Sequence, residues 1–151
     1  MEIGSNAPLF KGKDQDGNVI ALSDLKGKKV ILYFYPEDDT PTCTQEACNL
    51  RDNYHVLKER GFEILGVSPD DIKNHQKFRH KFKLPFSLIS DPEKKIIEAY
   101  GVWGPKNMFG HKYMGVLRHT FVIDEKGRIE KIFKKVRSNI HTDQILKSYA
   151  Q

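Results

Sequence analysis

The 151-residue sequence is poor in cysteine, and Cys43 and Cys48 are its two thiols. Two cysteines do not complete a tetrahedral zinc site. The six histidines are scattered through the chain, and none lies at ligand spacing from either cysteine. We therefore expect neither a metal ion nor another cofactor, so any reaction at the cysteines must use the sulfurs themselves.

Long hydrophobic runs are also lacking. No segment approaches the roughly 18 consecutive apolar residues that a membrane-spanning helix requires. The first residues, Met1 to Asn6, lack the basic region and the apolar region of a signal peptide. We therefore expect a cytoplasmic protein that does not bind membranes. In a reducing cytosol a pair of thiols is more often catalytic or metal-binding than a structural disulfide.

Positive charge is in modest excess, with 25 Lys and Arg residues against 20 Asp and Glu residues and a net charge of +5. Such a balance can indicate a nucleic-acid or membrane-surface partner. Here the lysines are spread along the chain, and the densest clusters, at residues 26–29 and 131–137, are short. The pattern favours a solvated basic surface, and we expect no nucleic-acid partner.

The chain shows no internal repeat, no low-complexity segment and no linker-like run, so we expect one domain over residues 1–151. Hydrophobic periodicity and turn residues predict ten segments in order. They are a hairpin at 9–22, a strand at 29–35, a helix at 43–60, a strand at 62–67, a helix from a Ser68 cap to about residue 83, a strand at 86–90, a helix at 91–100, a long loop at 101–117, a hairpin of 119–123 and 129–133, and a helix at 142–150. This alternation predicts an α/β fold in which a mixed sheet carries helices on both faces.

The segment with the most chemical information lies between the strand that ends near Pro36 and the helix that starts near Cys43. The N–H groups of a helix's first turn are unpaired and carry partial positive charge, which favours an anionic sulfur. A cysteine placed there is a better nucleophile at neutral pH. Thr40, three residues upstream, can reach a ligand held over the sulfur, and Pro36 can shield the sulfur from water. Such a site suits attack on a small O–O bond.

Each cysteine also has a structural interpretation. Cys43 could be a buried structural cysteine, although its polar neighbours argue against deep burial. Cys48 lies five residues further on. An intact helix would separate the two Cα atoms by roughly 8–9 Å, beyond the roughly 7 Å that a disulfide tolerates. Cys48 therefore either packs in the fold or reaches Cys43 when the first turns of the helix unwind.

This segment resembles the active-site signature of the peroxiredoxins. Pro36, Thr40 and Cys43 have the spacing Pro-x-x-x-Thr-x-x-Cys, and the longer run 34–52 is similar to the Q class, also called bacterioferritin comigratory proteins. The likeness continues along the chain, in Gly66-Val-Ser, Phe86-Ser-Leu-Ile-Ser-Asp91, Tyr100-Gly-Val-Trp-Gly104 and Arg118-His-Thr-Phe-Val-Ile-Asp124.

The resemblance implies a thioredoxin-like fold with an N-terminal hairpin and a thiol peroxidase active in antioxidant defence. Cys43 matches the peroxidatic cysteine and Cys48 the resolving one, while Thr40 and Pro36 match the motif's other fixed residues. Arg118 matches the active-site arginine, although its position alone indicates a surface strand residue. The implied substrates are hydrogen peroxide and organic hydroperoxides, and the implied reductant is thioredoxin or a similar redoxin. We expect a monomer or a weak homodimer.

Thr42 and Glu46 are two further positions near Cys43 that bear on its environment. Thr42 stands where the class usually has glycine. This exchange removes no catalytic group, but it can stiffen the backbone at the point where the helix would unwind. Glu46 is as consistent with a solvated first-turn carboxylate as with a catalytic role.

Two other functions compete with that of a peroxidase. One is a disulfide oxidoreductase, whose short motif is Cys-x-x-Cys, whereas this chain has Cys-x-x-x-x-Cys. The other is a redox-sensing or chaperone-type binding module that uses the same cysteine as a switch. Consumption of peroxide in the presence of a thioredoxin system separates the peroxidase from both alternatives.

Overall fold

A seven-stranded mixed sheet forms the centre of the computed structural model, which describes residues 1–150. Two further strands, β6 and β7, form a separate hairpin. The strands are β1 (Lys11–Lys13), β2 (Val19–Ala21), β3 (Lys29–Phe34), β4 (Phe62–Ser68), β5 (Ser87–Ser90), β6 (Trp103–Met108), β7 (His111–Val116), β8 (Thr120–Ile123) and β9 (Ile129–Phe133).

The strand order in the sheet is β2-β1-β5-β4-β3-β8-β9. Strands β3, β4 and β5 run parallel, while β8 and β9 extend the sheet on one side and the hairpin β1–β2 extends it on the other, all antiparallel. The mixed sheet and the N-terminal hairpin were both predicted from the sequence, and both are confirmed. The carboxyl ends of the parallel strands β3 and β4 lie side by side, so the segments that follow them meet at one edge of the sheet.

Among residues 1–150, five helices cover the two faces of the sheet. Alternate residues of β3 divide between the faces: Ile31 and Tyr33 point to one apolar cluster, Leu32 and Phe34 to the other. Four helices pack on the first face and the fourth helix in the chain packs on the second. The helices are α1 (Pro41–Asp52), α2 (Tyr54–Glu59), α3 (Ile72–Phe82), α4 (Lys95–Ala99) and α5 (His141–Lys147), and short 3₁₀ turns lie at Leu22–Leu25 and Ser138–Ile140.

The single helix predicted at 43–60 is wrong in its bounds, because two helices occupy this stretch. Helix α1 begins two residues earlier, with Pro41 at its first position, and ends at Asp52. Asn53 breaks the helix with φ −111° and ψ 11°, and its side-chain amide donates to the carbonyl of Asn49 at 2.8 Å. Asparagine competes in this way with the backbone pattern of a helix. Helix α2 then continues from Tyr54.

The helix after β4 also starts later than predicted. Asp71, not Ser68, caps α3, and its carboxylate accepts from the N–H of Asn74 at 2.8 Å. Ser68 still belongs to β4, and its hydroxyl donates to Asp70 at 2.6 Å. Ser68 and Asp70 therefore do not cap the helix. They form a hydrogen-bond network with Asp38, in the loop that follows β3.

The predicted loop at 101–117 is largely a hairpin. Strands β6 and β7 pair in register from Trp103–Val116 to Met108–His111. Phe109 and Gly110 form the two-residue turn, and both have positive φ, 53° and 82°. Two such residues suit the type I′ turn that matches strand twist. Within residues 1–150, no helix is both long and apolar enough to cross a membrane.

Candidate active site

Cys43 lies in the first turn of α1, as the sequence predicts. Thr40 immediately precedes the helix, and its carbonyl accepts the N–H of Thr44 at 2.8 Å. The expectation that Cys43 avoids deep burial is wrong, because only 1% of its surface is exposed. The helix turns Cys43 and Ala47 toward the sheet, where both join the apolar cluster around Tyr33 and Tyr35. The polar neighbours of Cys43 therefore do not set its burial.

Arg118 contacts Cys43 from the segment that precedes β8. It lies just before β8, which pairs antiparallel with β3, and its Nη2 donates to Cys43 Sγ at 3.0 Å. Its Nη1 donates to Glu46 Oε1 at 2.7 Å. One guanidinium nitrogen thus contacts the sulfur, while the other is held in place by Glu46. The guanidinium is a permanent cation and a fixed hydrogen-bond donor directly beside the sulfur.

Glu46 is fully buried one turn after Cys43, beside His141 of α5. Its Oε2 has no hydrogen-bond partner among the described residues and lies 3.8 Å from His141 Nε2. His141 Nδ1 faces the side-chain Oε1 of Gln144 at 3.0 Å and therefore carries a proton, so in the neutral ring Nε2 accepts from the Thr120 hydroxyl at 2.9 Å. Burial holds the pKa of His141 well below its usual range, so at neutral pH the ring is neutral and places no charge opposite Glu46.

Burial dominates the ionisation of this pair. It raises the pKa of Glu46 to about 7, and the charge and hydrogen bond of Arg118 offset only part of that effect. Burial also lowers the pKa of His141 to about 4. For Arg118, burial acts to lower the pKa, but Glu46 and Cys43 outweigh it, so the guanidinium pKa is raised. Arg118 therefore stays charged whether or not Glu46 does.

The pKa shifts of Glu46 and His141 predict a specific pH dependence of stability. Between pH 4.5 and 7 the folded state holds a proton on Glu46 that the unfolded state has lost, so stability falls as pH rises through this range. His141 contributes in the opposite direction between pH 4 and 6.5. We expect the Glu46→Gln variant to gain about 3 kcal/mol on the wild type from pH 4.5 to 7, as measured by denaturant unfolding.

His141→Gln is the matched control for this prediction. It removes the opposing contribution, so the variant should lose stability relative to the wild type as pH rises over the same range. A Glu46→Gln difference that does not vary with pH would show that Glu46 titrates normally in the folded protein.

The loop that precedes Cys43 is anchored by a polar network. Asp38 Oδ1 accepts from the Tyr35 hydroxyl at 2.6 Å, and its Oδ2 lies 2.6 Å from His75 Nδ1. His75 Nε2 faces the carbonyl oxygen of Ile89 at 3.1 Å. The His75 ring is thus held at both nitrogens, by the carboxylate of Asp38 and by the backbone of the neighbouring strand.

The backbone of the loop is held as well. The N–H of Asp38 donates to Asp70 Oδ2 at 2.8 Å, and Asp39 has a left-handed φ of 60°. Asp38, Asp70 and His75 offer three ligand atoms within 4.8 Å of one another, but hydrogen bonds within the protein engage all three side chains. The network is a structural anchor that fixes the path from β3 to α1.

Thr40 and Pro36 lie in this anchored loop, at the positions that the sequence indicated. The Thr40 hydroxyl donates to the carbonyl of Glu37 at 3.2 Å, so in this structure it is engaged with the loop itself. Pro36 follows β3 and is partly buried. Both residues border the segment that leads to Cys43.

Cys48 lies apart from the other candidates. It is partly exposed and lines a surface groove of about 420 Å³ with Pro41, Thr44 and Phe82 among its walls. Both cysteines are free thiols. Because α1 is intact from Pro41 to Asp52, the two Cα atoms are roughly 8–9 Å apart. Partial burial and Asp52 raise the pKa of Cys48 against the opposing effect of Arg51, so Cys48 stays protonated at neutral pH.

Two contacts of the site had no signal in the local sequence. Thr120 and His141 are 21 residues apart, and Glu46 and Arg118 are 72 apart, so no local spacing relates them. The Asp38–His75 contact had a usable signal. Polar residues follow both β3 and β4, and the carboxyl ends of neighbouring parallel strands meet at one edge of a sheet.

Known proteins match this chain over most of its length. The model of the AhpC/TSA family matches residues 3–132. A putative peroxiredoxin bcp of Coxiella burnetii is 48% identical over 146 residues, 97% of each chain. The peroxiredoxin Bcp of Bacillus subtilis is 46% identical over 148 residues, covering 98% of this chain and 94% of the relative.

The fold has close structural relatives as well. One is the Xanthomonas campestris bacterioferritin comigratory protein, studied in trapped-intermediate and ligand complexes for its alkyl peroxide reduction activity. It superposes with a TM-score of 0.86 at 31% identity, covering 92% of this chain and 88% of that one. The thioredoxin-like peroxiredoxin fold expected from the sequence is thereby confirmed.

Proposed function

This chain belongs to the AhpC/TSA family and is a thiol peroxidase of the Bcp-type peroxiredoxins, and from that premise we propose a reaction cycle for its two cysteines. The enzyme reduces hydroperoxides and acts in antioxidant defence with a thioredoxin-type reductant. The proposal assigns Cys43 as the peroxidatic sulfur, Cys48 as the resolving one, and Thr40, Pro36 and Arg118 as the residues that surround the peroxide.

The contact between Arg118 and Cys43 carries this proposal. The sulfur of Cys43 is buried at a helix start and has a guanidinium nitrogen 3.0 Å away, so a cation and a donor already stand where the reaction with peroxide would move negative charge. In the first step the Cys43 thiolate attacks one oxygen of the peroxide. The S–O bond forms, the O–O bond breaks, and the alkoxide or hydroxide that leaves takes up a proton, so Cys43 becomes a sulfenic acid.

Arg118 stabilises the transition state of this step. The negative charge moves from sulfur to the departing oxygen. A cation fixed beside both atoms stabilises this charge throughout the step without reorganising. Glu46 holds the guanidinium in place through its 2.7 Å contact. The N–H groups at the start of α1 and the Thr40 hydroxyl, once turned from Glu37, are the further donors available to the peroxide.

In the second step Cys48 resolves the sulfenic acid. The Cys48 thiol and the Cys43 sulfenic acid form a disulfide and release water. Since the intact α1 keeps the sulfurs apart, we propose that the helix unwinds locally around Cys48. A dithiol redoxin then reduces the exposed disulfide and returns both thiols.

The test of this step is the Cys48→Ser variant. We expect one rapid turnover with peroxide, as in the wild type, followed by a stall with thioredoxin, thioredoxin reductase and NADPH. Steady-state turnover should fall at least about tenfold, because the sulfenic acid lacks its intramolecular thiol partner. The measurement is NADPH oxidation together with the amount of peroxide consumed per enzyme.

Gln45→Ala is the control, since Gln45 lines the same groove without a thiol. It should turn over like the wild type. Full steady-state turnover of Cys48→Ser would show that Cys48 is dispensable and that the reductant attacks the Cys43 sulfenic acid directly.

We also propose that the whole chain, residues 1–151, acts as a single domain in the cytoplasm, as a monomer or weak homodimer without nucleic-acid or membrane partners. Cys43, Cys48, Arg118 and Glu46 all come from one chain, so the cycle needs no second copy. Sedimentation of the purified protein at micromolar concentration tests the oligomeric part of this proposal.

A further inference from the structure

Asn49, the residue directly after Cys48, joins α1 to the C-terminal segment. Its side-chain Nδ2 donates to the carbonyl of Asn139 at 3.0 Å. Its Oδ1 accepts from the N–H of Thr142 at 2.8 Å, and its backbone carbonyl lies 3.4 Å from the Thr142 hydroxyl. We call these three contacts the Asn49 clasp.

The clasp satisfies one backbone donor that has little access to water, the N–H of Thr142. Thr142 is 1% exposed, and its N–H belongs to the first turn of α5, where the helix supplies no acceptor. If Asn49 moves away, this buried N–H loses its partner. Leaving a buried donor unpaired is costly, so the clasp opposes any motion of α1 at residue 49.

We propose that the Asn49 clasp must open before Cys48 can reach Cys43, so that Asn49 sets the rate of disulfide formation. This inference rests on the reaction cycle proposed above. Cys43 is buried against Arg118 on the sheet side of α1, whereas Cys48 faces the surface groove about 140° around the helix. Cys48 is covalently bonded to Asn49, and carrying it around the axis withdraws Asn49 from the C-terminal segment.

The clasp also affects the competition between two reactions of the Cys43 sulfenic acid. In one, the Cys43 sulfenic acid and the Cys48 thiol give a disulfide and water. In the other, a second hydroperoxide transfers an oxygen to the Cys43 sulfenate, giving a sulfinate and the corresponding alcohol or water. Because the clasp slows only the first reaction, it makes the enzyme more sensitive to excess peroxide. Asn49 is thus a positioning residue that acts on the lifetime of the oxidised sulfur.

The test compares Asn49→Ala with Asn139→Ala. The first variant removes the side chain of the clasp, and the second removes an exposed asparagine side chain while the backbone carbonyl that the clasp uses remains. Rapid quenching with a thiol-alkylating reagent, followed by mass spectrometry, gives the rates of sulfenic acid, disulfide and sulfinate formation.

We expect Asn49→Ala to form the disulfide on the order of tenfold faster than the wild type, as the loss of one or two hydrogen bonds predicts. It should also yield less sulfinate at high peroxide, with an unchanged rate of sulfenic acid formation. Alanine favours helix more than asparagine does, so helix propensity would act in the opposite direction. Asn139→Ala should stay within about twofold of the wild type, the range expected of a surface substitution.

Two results would overturn the inference and leave the reaction cycle standing: a disulfide that forms at the wild-type rate in Asn49→Ala, or equal acceleration in both variants. If the wild type forms no Cys43–Cys48 disulfide at all, the cycle itself fails and the inference fails with it.

A measurement on the unmodified chain gives independent access to the same question. Amide hydrogen exchange by NMR should show the Thr142 N–H protected in the reduced enzyme and exchanging faster in the disulfide form. Peroxide-treated Cys48→Ser, which cannot form this disulfide, should keep the protection. An equally protected Thr142 amide in the wild-type disulfide would mean that α1 unwinds only before residue 49, which contradicts the proposal.

Discussion

Replacing Cys43 by serine is expected to abolish peroxide reduction. A serine hydroxyl does not ionise near neutral pH and is a poor nucleophile toward an O–O bond, so the rate should fall by about four orders of magnitude or more. The fold should survive, because a hydroxyl can accept the hydrogen bond that Arg118 Nη2 now donates to the sulfur. Stopped-flow measurement of peroxide consumption and a thermal unfolding curve test the two statements.

Cys48→Ser is the control for the effect of exchanging sulfur for oxygen. It makes the same sulfur-to-oxygen exchange five residues away and should retain the first turnover. If Cys43→Ser keeps the wild-type rate of the first turnover while Cys48→Ser loses it, the roles of the two cysteines are reversed.

Replacing Arg118 by methionine is expected to slow the reaction of Cys43 with peroxide by two to three orders of magnitude, the usual effect of removing a fixed donor from developing charge. The substitution also leaves the buried carboxyl group of Glu46 without its cation. Breaking a buried pair in this way destabilises a protein by about 3–5 kcal/mol. Loss of activity alone would therefore not separate catalysis from folding.

The double variant Arg118→Met with Glu46→Gln makes that separation. Removing both charges should recover most of the lost stability, because no buried carboxylate is left unpaired. The slow reaction with peroxide should persist, since the cation beside Cys43 Sγ is still missing. A double variant that recovers both stability and rate would show that Arg118 acts on the fold and not on the chemistry.

The sequence was sufficient to predict the elements that obey local rules. The apolar, β-branched run of β3, the helix that starts near Cys43 and the hairpin within residues 9–22 follow from periodicity and turn chemistry, and all three are present. These elements place Cys43 at a helix start, which is the feature with the greatest chemical consequence. The hairpin β6–β7 was predicted as a loop, because its glycines are typical of loops.

The contacts that complete the candidate site depend on the tertiary fold. Arg118 meets Cys43 because β8 pairs with β3, and His141 meets Glu46 because α5 packs on α1. No periodicity relates residues so far apart in the chain. For Arg118 the family resemblance supplied the assignment, and for His141 and Asn49 nothing in the sequence did. The burial of Cys43 was misjudged for the same reason, since the sheet beneath the helix decides it.

The most direct test of the account is to identify the sulfur that peroxide oxidises first. Reduced wild-type enzyme would receive less than one equivalent of peroxide together with a sulfenic-acid-trapping reagent, and the tryptic peptides would be mapped by mass spectrometry after rapid quenching. We expect the trapped adduct on Cys43, and the disulfide with Cys48 only at later times. A trapped adduct on Cys48 while Cys43 remains a free thiol would contradict the assignment of Cys43 as the peroxidatic cysteine.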